Sequence, residues 1–92
     1  MPRFKKKRFC RLLDNVKIYK PVAIPFERLD VVEIFLDEFE ALRLCDHEKL
    51  SQIEAAQRMN ISRATVQRLL DSGRFKLINA IINDMAIKIK NN

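Results

Sequence analysis

The chain has 92 residues, of which 48% are hydrophobic, and this suits one domain with one compact core. Its 18 Lys and Arg against 12 Asp and Glu give a formal net charge of +6, which favours polyanionic partners. No apolar run approaches the roughly 20 residues of a membrane span, and two cysteines without an apolar leader argue against a disulfide scaffold. We therefore expect a soluble cytoplasmic protein.

Charge is segregated along the chain. Residues 1–20 carry eight basic groups and one acid, residues 27–48 eight acids and two basic groups, and residues 49–92 eight basic groups and three acids. A polyanion is attracted to surfaces built from the two ends and repelled by the middle. Residues 1–8 form either a solvated tail or a basic arm that contacts a polyanionic partner. The basic residues of this arm are Arg3, Lys5, Lys6, Lys7 and Arg8.

The first third of the chain has the pattern of extended structure. Short apolar or alternating runs at residues 9–13 and 16–19 are separated by Asp14-Asn15, which is a turn signal. Pro21 and Pro25 argue against a continuous helix in this region. Residues 31–36 are rich in β-branched and aromatic side chains, which predicts a strand that runs directly into a helix.

Two capping boxes predict the first two helices. Asp37 and Glu40 begin a helix that runs to about His47. Ser51 and Glu54 begin a shorter helix that runs through Met59. The residues predicted to face the core are Phe39, Leu42 and Cys45 in the first helix and Ala55, Ala56 and Met59 in the second.

A tight turn joins the second helix to a third helix, which is capped by Ser62. Asn60 tolerates a left-handed backbone, and the small side chain of Ala56 allows two helices to cross closely. Apolar side chains fill the space between the helices, and they are Ile61, Val66 and Leu69. The spacing predicts a helix-turn-helix, and a general helical hairpin is the alternative.

The exposed side of the third helix has the chemistry that reads base pairs. Arg hydrogen-bonds guanine bidentately, Gln does so with adenine, and Ala or the Thr methyl packs on the thymine methyl. Backbone N–H groups near Ser62 suit a phosphate, and Lys49 and Arg58 are further phosphate contacts. The predicted base-reading residues are Arg63, Ala64, Thr65, Gln67 and Arg68. A solvated helix face is the alternative.

Two resemblances extend this interpretation. Residues 50–66, LSQIEAAQRMNISRATV, resemble the helix-turn-helix of region four of the sigma-seventy factors, which recognises promoter DNA. Nearly the whole chain resembles uncharacterised protein family 0251, the domain of unknown function 134. The opening Met-Pro-Arg, KPVAIP at 20–25, DEFEALRL at 37–44 and AIKI at 86–89 carry that resemblance. It implies a short prokaryotic protein that binds DNA.

The chain departs from these patterns at two positions. Asn60 stands where Gly is usual in the turn, and Gly73 stands where the family helix tends to have Ala. A glycine inside a helix lowers the stability of the helix by about 1 kcal/mol relative to Ala. A kink in the third helix can therefore occur at Gly73.

Beyond Gly73 the apolar pattern of the third helix widens. Leu77 and Ile81 continue the inward stripe, while a second stripe consists of Phe75, Ile78 and Ile82. A homodimer through this second stripe would place recognition helices in successive major grooves, with half-sites about 34 Å apart or a multiple of that. The alternative is a single wide core shared with the strands. Residues 85–90 alternate as a half-exposed strand, paired with an N-terminal strand of the same chain or of a partner.

The sequence gives little support to catalysis or to a metal site. The one glycine excludes a glycine-rich phosphate loop, and His47, the one histidine, has no evident nucleophile beside it. Cys10, Cys45 and His47 are too few ligands for structural zinc, and no Cys-x-x-Cys pair is present. We expect no enzymatic activity, no cofactor and no metal.

Together these patterns predict a mainly α fold of the α+β class. One domain over residues 1–92 has a three-helix core that carries the helix-turn-helix, with short strands near both termini. The predicted function is sequence-specific binding of double-stranded DNA by a transcriptional regulator. The alternative is a protein-interaction module, in which residues 27–48 contact RNA polymerase or another transcription component. RNA binding is weaker, because the aromatic residues occupy predicted core positions rather than a stacking platform.

Overall fold

The computed structural model describes residues 17–90, which form three α-helices and a three-stranded sheet. In chain order the elements are β1 (Lys17–Tyr19), a 3-10 turn (Phe26–Arg28), β2 (Val31–Phe35), α1 (Leu36–Leu42), α2 (Gln52–Met59), α3 (Arg63–Ile82) and β3 (Ala86–Lys90). A π-helical segment, Arg43–His47, continues α1 to the predicted helix end. The predicted α+β class is confirmed. Within residues 17–90, no helix has the length and apolar character needed to cross a membrane.

The central strand of the sheet is β3, which lies between β1 and β2. It pairs antiparallel with β1, where Tyr19 lies opposite Ile87, and parallel with β2, where Ile34 lies opposite Ile89. The closing strand therefore pairs with an N-terminal strand of its own chain, and its parallel pairing with β2 was not predicted. The predictions that fall outside the described residues are the run at 9–13, the Asp14-Asn15 turn and the basic arm.

The start of α1 differs from the prediction. The Glu38 carboxylate accepts a hydrogen bond from the backbone N–H of Phe35 at 3.0 Å, so Phe35 is the N-cap residue. The predicted capping box of Asp37 and Glu40 is therefore wrong. The reason is that β2 enters the helix without a linker, so Leu36 is already helical and the N-cap lies at Phe35. Only the Glu38 half of a capping box forms there, because a phenylalanine side chain cannot accept a hydrogen bond.

Small side chains allow the three helices to meet around one core. Ala41, Ala55 and Ala56 are buried there with larger apolar residues, and these are Leu42, Leu44, Val66 and Leu70. A second cluster, Ile34 and Ile89, lies on the inner face of the sheet. Leu77 packs against both clusters, so α3 joins the sheet to the helical core.

The helices α1 and α3 approach each other closely at Gly73. A Cβ atom at this position would lie 2.9 Å from Leu42 Cδ1 and 3.2 Å from Leu42 Cγ. The helix is continuous from Arg63 to Ile82, so Gly73 does not interrupt it. We conclude that glycine here makes room for the buried Leu42 side chain.

The inward stripe of α3 ends differently from the prediction. Ile81 is 67% exposed, and Ala80 is fully buried in its place. Ala80 lies seven residues after Gly73, close to two full turns, whereas Ile81 is rotated about 100° farther around the helix axis. The predicted inward position of Ile81 is therefore wrong.

The second apolar stripe of α3 is exposed. Phe75, Ile78 and Ile82 are 67%, 56% and 71% exposed, so they do not join a wide core with the described strands. The alternative of a single wide core is excluded for residues 17–90. Within residues 17–90, the stripe therefore lies exposed on the surface.

Much of the acidic middle of the chain is paired within the molecule. The pairs are Glu38 with Lys76 at 2.8 Å, Glu40 with Arg43 at 2.8 Å, Asp46 with Arg74 at 2.7 Å, Glu33 with Lys90 at 3.7 Å, and Glu48 with Arg43. Glu38 and Glu40 are buried. The charge of the negative segment seen in the sequence is therefore partly neutralised by Arg43 within it and by basic residues from later in the chain.

Glu38 fastens the junction of β2 and α1 to α3. Lys76 Nζ donates to Glu38 Oε1 and to the backbone oxygen of Glu33, each at 2.8 Å. Burial raises the pKa of Glu38, but hydrogen bonds from Lys76, Ser72 and the Phe35 N–H, together with the Lys76 charge, lower it further than burial raises it. The pKa of Glu38 in the folded chain therefore lies below its usual value of 4.5.

We predict that Gly73→Ala destabilises the fold by about 1 kcal/mol. The gain in helix propensity, about 1 kcal/mol, is smaller than the roughly 2 kcal/mol cost of forcing a methyl group against Leu42. Urea unfolding of Gly73→Ala, Leu42→Ala and the double variant measures the coupling between the two sites. In the double variant Gly73→Ala should become stabilising, and simple additivity of the two changes would contradict the packing argument.

We predict that Lys76→Met lowers the free energy of unfolding at pH 7 by about 3 kcal/mol, because it leaves a buried carboxylate without its counter-charge. Since the folded-state pKa of Glu38 is lowered, its contribution is present above the unfolded value of 4.5 and is lost as pH falls through the folded value. The difference between wild type and Lys76→Met should therefore narrow as pH falls below 4.5. Lys17→Met, at an exposed lysine in β1, is the control and should show no such narrowing.

Candidate functional site

The candidate site is the pair of helices α2 and α3 with the turn between them. Ser51 caps α2 and forms the predicted capping box with Glu54, with reciprocal hydrogen bonds of 2.9 and 3.1 Å. Ser62 caps α3, because its Oγ accepts a hydrogen bond from the backbone N–H of Thr65 at 3.1 Å. Both predicted helix starts are confirmed.

The turn is built on a left-handed residue. Asn60 has φ 60° and ψ 46°, and the backbone N–H of Ile61 donates to the Ala56 oxygen at 3.0 Å. Asparagine is among the non-glycine residues that adopt this conformation most readily. The predicted role of Asn60 is confirmed, and only Ile61 and Ser62 separate it from the first residue of α3.

Side chains at the inner angle of the pair hold α2 against α3. Ala55, Ala56, Val66 and Leu70 are buried. Partly buried apolar residues pack around them, and those near the turn are Met59, Ile61 and Leu69. The predicted inward residues of α2 and of the first turns of α3 are therefore correct, and the opposite side of these turns is exposed within residues 17–90.

The predicted base-reading residues line the first turns of α3. Arg63, Ala64 and Arg68 are exposed, whereas Thr65 and Gln67 are half-buried. Arg68 Nη2 donates to Thr65 Oγ1 at 3.2 Å, and that oxygen lies 2.8 Å from Ser62 Oγ. The capping residue is thus linked through Thr65 to an exposed guanidinium group one turn along the helix.

Gln52 was not predicted, and it connects α2 to the exposed side of α3. Its Oε1 accepts a hydrogen bond from Arg63 Nη1 at 2.9 Å, and its Nε2 donates to Gln67 Oε1 at 2.7 Å. Gln67 Nε2 in turn donates to Asp71 Oδ1 at 2.8 Å. The network fixes the orientation of the Gln67 amide group, with its oxygen toward α2 and its nitrogen toward Asp71.

The remaining predicted contacts lie at the ends of α2 or outside the described residues. Lys49 is exposed and has φ 65° in the segment that leads into α2, and Arg58 is exposed in the last turn of α2. The arm residues Arg3, Lys5, Lys6, Lys7 and Arg8 are not among the described residues.

Cys45 and His47 lie in the π-helical segment, away from the helix pair in sequence. Burial raises the pKa of the Cys45 thiol above its usual value, and the neighbouring Asp46 adds to this effect. Among residues 17–90, no three His, Cys, Asp or Glu side chains are grouped closely enough to hold a metal ion. Cys10, the third residue of the possible ligand set, lies outside the described residues.

Fold and site together define a small α+β protein in which two paired helices present an exposed polar face with two arginines. A family model described as "protein of unknown function DUF134" matches residues 1–92, and the chain belongs to that family. The chain is 42% identical over 90 residues to a UPF0251 protein of Thermoanaerobacter pseudethanolicus, covering 98% of this chain and 76% of that protein. A UPF0251 protein of Dehalococcoides mccartyi is 43% identical, with coverage of 98% and 77%. No solved structure matches the chain.

Proposed function

We propose that this chain is a sequence-specific double-stranded DNA-binding protein that acts as a transcriptional regulator. In this proposal α2 and α3 form a helix-turn-helix, similar to that of sigma-seventy region four, and the start of α3 enters the major groove. The observation that carries the proposal is the left-handed turn at Asn60 followed by a Ser62-capped helix, whose exposed first turns carry Arg63 and Arg68.

The site can make contacts of two kinds. Arg63, Ala64 and Arg68 are exposed, and with Thr65 and Gln67 they supply the groups that distinguish base pairs in the major groove. The N-terminus of α3 presents free backbone N–H groups to a phosphate, and Lys49 and Arg58 add positive charge on the side of α2. The arm of residues 1–8 supplies further contacts to the backbone or minor groove.

Charge pairing favours DNA binding over the protein-interaction alternative. That alternative needs the acidic side chains of residues 27–48 to be available to a basic partner. Glu38 and Glu40 are buried, and Asp46 is paired with Arg74 at 2.7 Å. Fewer carboxylates of residues 27–48 are therefore available to a basic partner than the sequence indicates.

We further propose that the protein forms a homodimer through the exposed stripe of α3. Phe75, Ile78 and Ile82 occur at the spacing i, i+3 and i+7, which places them along one side of the helix. An exposed apolar patch on a small domain commonly marks an interface.

The first test of DNA reading is affinity as a function of salt, measured on duplexes selected from a random pool. The double variant Arg63→Ala, Arg68→Ala should bind the selected motif about 100-fold more weakly, since each arginine contact to guanine contributes about 1–3 kcal/mol of discrimination. Its affinity for unrelated DNA should fall much less. The charge-matched control Lys17→Ala, Arg28→Ala removes two basic residues outside the helix pair. If both double variants lose the same affinity for every sequence, α3 does not read bases.

A second test uses Gln52. Gln52→Ala should relax base preference at the positions read by Arg63 and Gln67, because both side chains lose a hydrogen bond that orients them. Gln52→Glu keeps an acceptor for Arg63 but cannot donate to Gln67, so it should relax only the position read by Gln67. Selection profiles of both variants are compared with those of Gln57→Ala, an exposed glutamine of the same helix. Unchanged profiles in both Gln52 variants would remove Gln52 from the site.

A further inference from the structure

The exposed side of α3 carries two different surfaces, one after the other. Its first half presents the base-reading residues, ending near Asp71, and its second half presents the apolar stripe of Phe75, Ile78 and Ile82. Both halves belong to one uninterrupted helix. Their relative direction therefore follows from helix geometry.

The two surfaces point in nearly the same direction. Each residue of an α-helix is rotated by about 100°, so Ile82, eighteen residues after Ala64, lies about five full turns later on the same side. Phe75 follows Arg68 by seven residues, which leaves it only about 20° from the same line. Both surfaces lie opposite the buried residues Val66 and Gly73.

A second copy of this chain fits the apolar stripe. Its three large side chains are between 56% and 71% exposed, and together they present on the order of 400 Å² of apolar surface. Two such faces bury roughly 800 Å² in total, which lies in the range of weak, transient interfaces. The expected dimer is therefore weak and reversible.

The stripe is also complementary to itself. When two α3 helices pack antiparallel about a two-fold axis near Ile78, Phe75 of one copy faces Ile82 of the other. Lys76 is the one charged residue between Phe75 and Ile82, and it is directed to Glu38 of its own chain at 2.8 Å. Between Phe75 and Ile82, therefore, no exposed charge of one copy faces a like charge of the other.

Such a dimer has a consequence for DNA. In a two-fold contact, the contact face of each copy points toward the other copy, so the two contact faces point in opposite directions. The base-reading surface of each copy points in the same direction as the contact face of that copy. We propose that the dimer holds its two reading surfaces on opposite sides, so that each copy reads its own asymmetric site and the dimer joins two separate duplex segments. With a rise of 1.5 Å per residue, the two surfaces lie about 40 Å apart along the paired helices.

This inference rests on the proposed function and differs from the arrangement with two half-sites about 34 Å apart. That arrangement needs both recognition helices on the same side of the dimer, facing one duplex. The position of the apolar stripe on the reading side of α3 favours the opposed arrangement.

The oligomeric state is measured first, without DNA, by sedimentation equilibrium between 1 and 100 µM. Wild type should show a reversible monomer–dimer equilibrium, and Ile78→Ser should be monomeric throughout. Ile82→Ser, near the end of the helix, should also be monomeric, and it guards against the possibility that Ile78→Ser has a folding defect. Val22→Ser, at a residue that is 91% exposed and outside the helices, is the control and should dimerise as wild type does. A monomeric wild type at 100 µM would overturn the proposal.

Bridging is measured next, with one duplex immobilised and a second duplex labelled in solution, both carrying the selected motif. Wild type should retain the labelled duplex, whereas Ile78→Ser should bind a single duplex with unchanged site affinity and lose retention at least tenfold. A palindromic selected motif with half-sites one helical turn apart would overturn the opposed geometry. If the protein is dimeric but binds no DNA, the proposed function is overturned. The sedimentation comparison of wild type with Ile78→Ser would still show whether the stripe forms the dimer contact.

Discussion

The close approach of α1 to α3 at Gly73 is the constraint on which the arrangement of the helices depends. A Cβ at this position would lie 2.9 Å from Leu42 Cδ1, so any larger residue has to displace a buried side chain. The contact fixes which side of α3 faces the core, and Leu77 extends that side to the sheet. Because α3 is one continuous helix, the same contact fixes the direction of its exposed side over its whole length.

Around this contact, the ends of the helices are held by polar groups rather than by the core. The Glu38 carboxylate caps α1 and binds Lys76 of α3, so one buried side chain both starts a helix and joins it to its neighbour. Ser62 and the left-handed Asn60 set the start of α3 in a similar way. The proposed reading surface is therefore positioned by elements on both sides of it, which limits the conformational freedom lost on binding.

The structural features that the sequence predicted correctly are those that depend on local patterns of residues. The Ser51 and Ser62 caps, the left-handed Asn60 and the inward residues of α2 all follow from spacing over one or two helical turns, and the structure agrees with each. The start of α1 was misplaced because Asp37 and Glu40 match the capping-box pattern, whereas the residue at which the helix begins, Phe35, has no side-chain acceptor and carries no capping signal. Only the Glu38 half of a box is present there, so the residue types did not indicate the true start.

Long-range contacts were missed for a different reason. Gln52 meets Gln67 across fifteen residues, and Glu38 meets Lys76 across thirty-eight, so neither pair leaves a periodic signal. The parallel pairing of β2 with β3 likewise requires the helices to bring the end of the chain back beside β2. Gly73 was interpreted through helix propensity, whereas its role depends on a neighbour thirty-one residues earlier in the chain.

The distribution of charge divides the proposed task between two parts of the chain. Residues 1–16 contain six basic residues and one acid, so they account for +5 of the net charge of +6. Residues 17–90 contain twelve basic residues and eleven acids and are nearly neutral. In DNA binding, affinity that is independent of sequence comes mainly from neutralising phosphates, whereas discrimination comes from contacts to base edges. The basic start of the chain is therefore suited to affinity, and α3, with Arg63 and Arg68 on a nearly neutral domain, is suited to specificity. Under the proposed function, this division would allow a small folded core to combine strong dependence of affinity on salt with a choice among sequences.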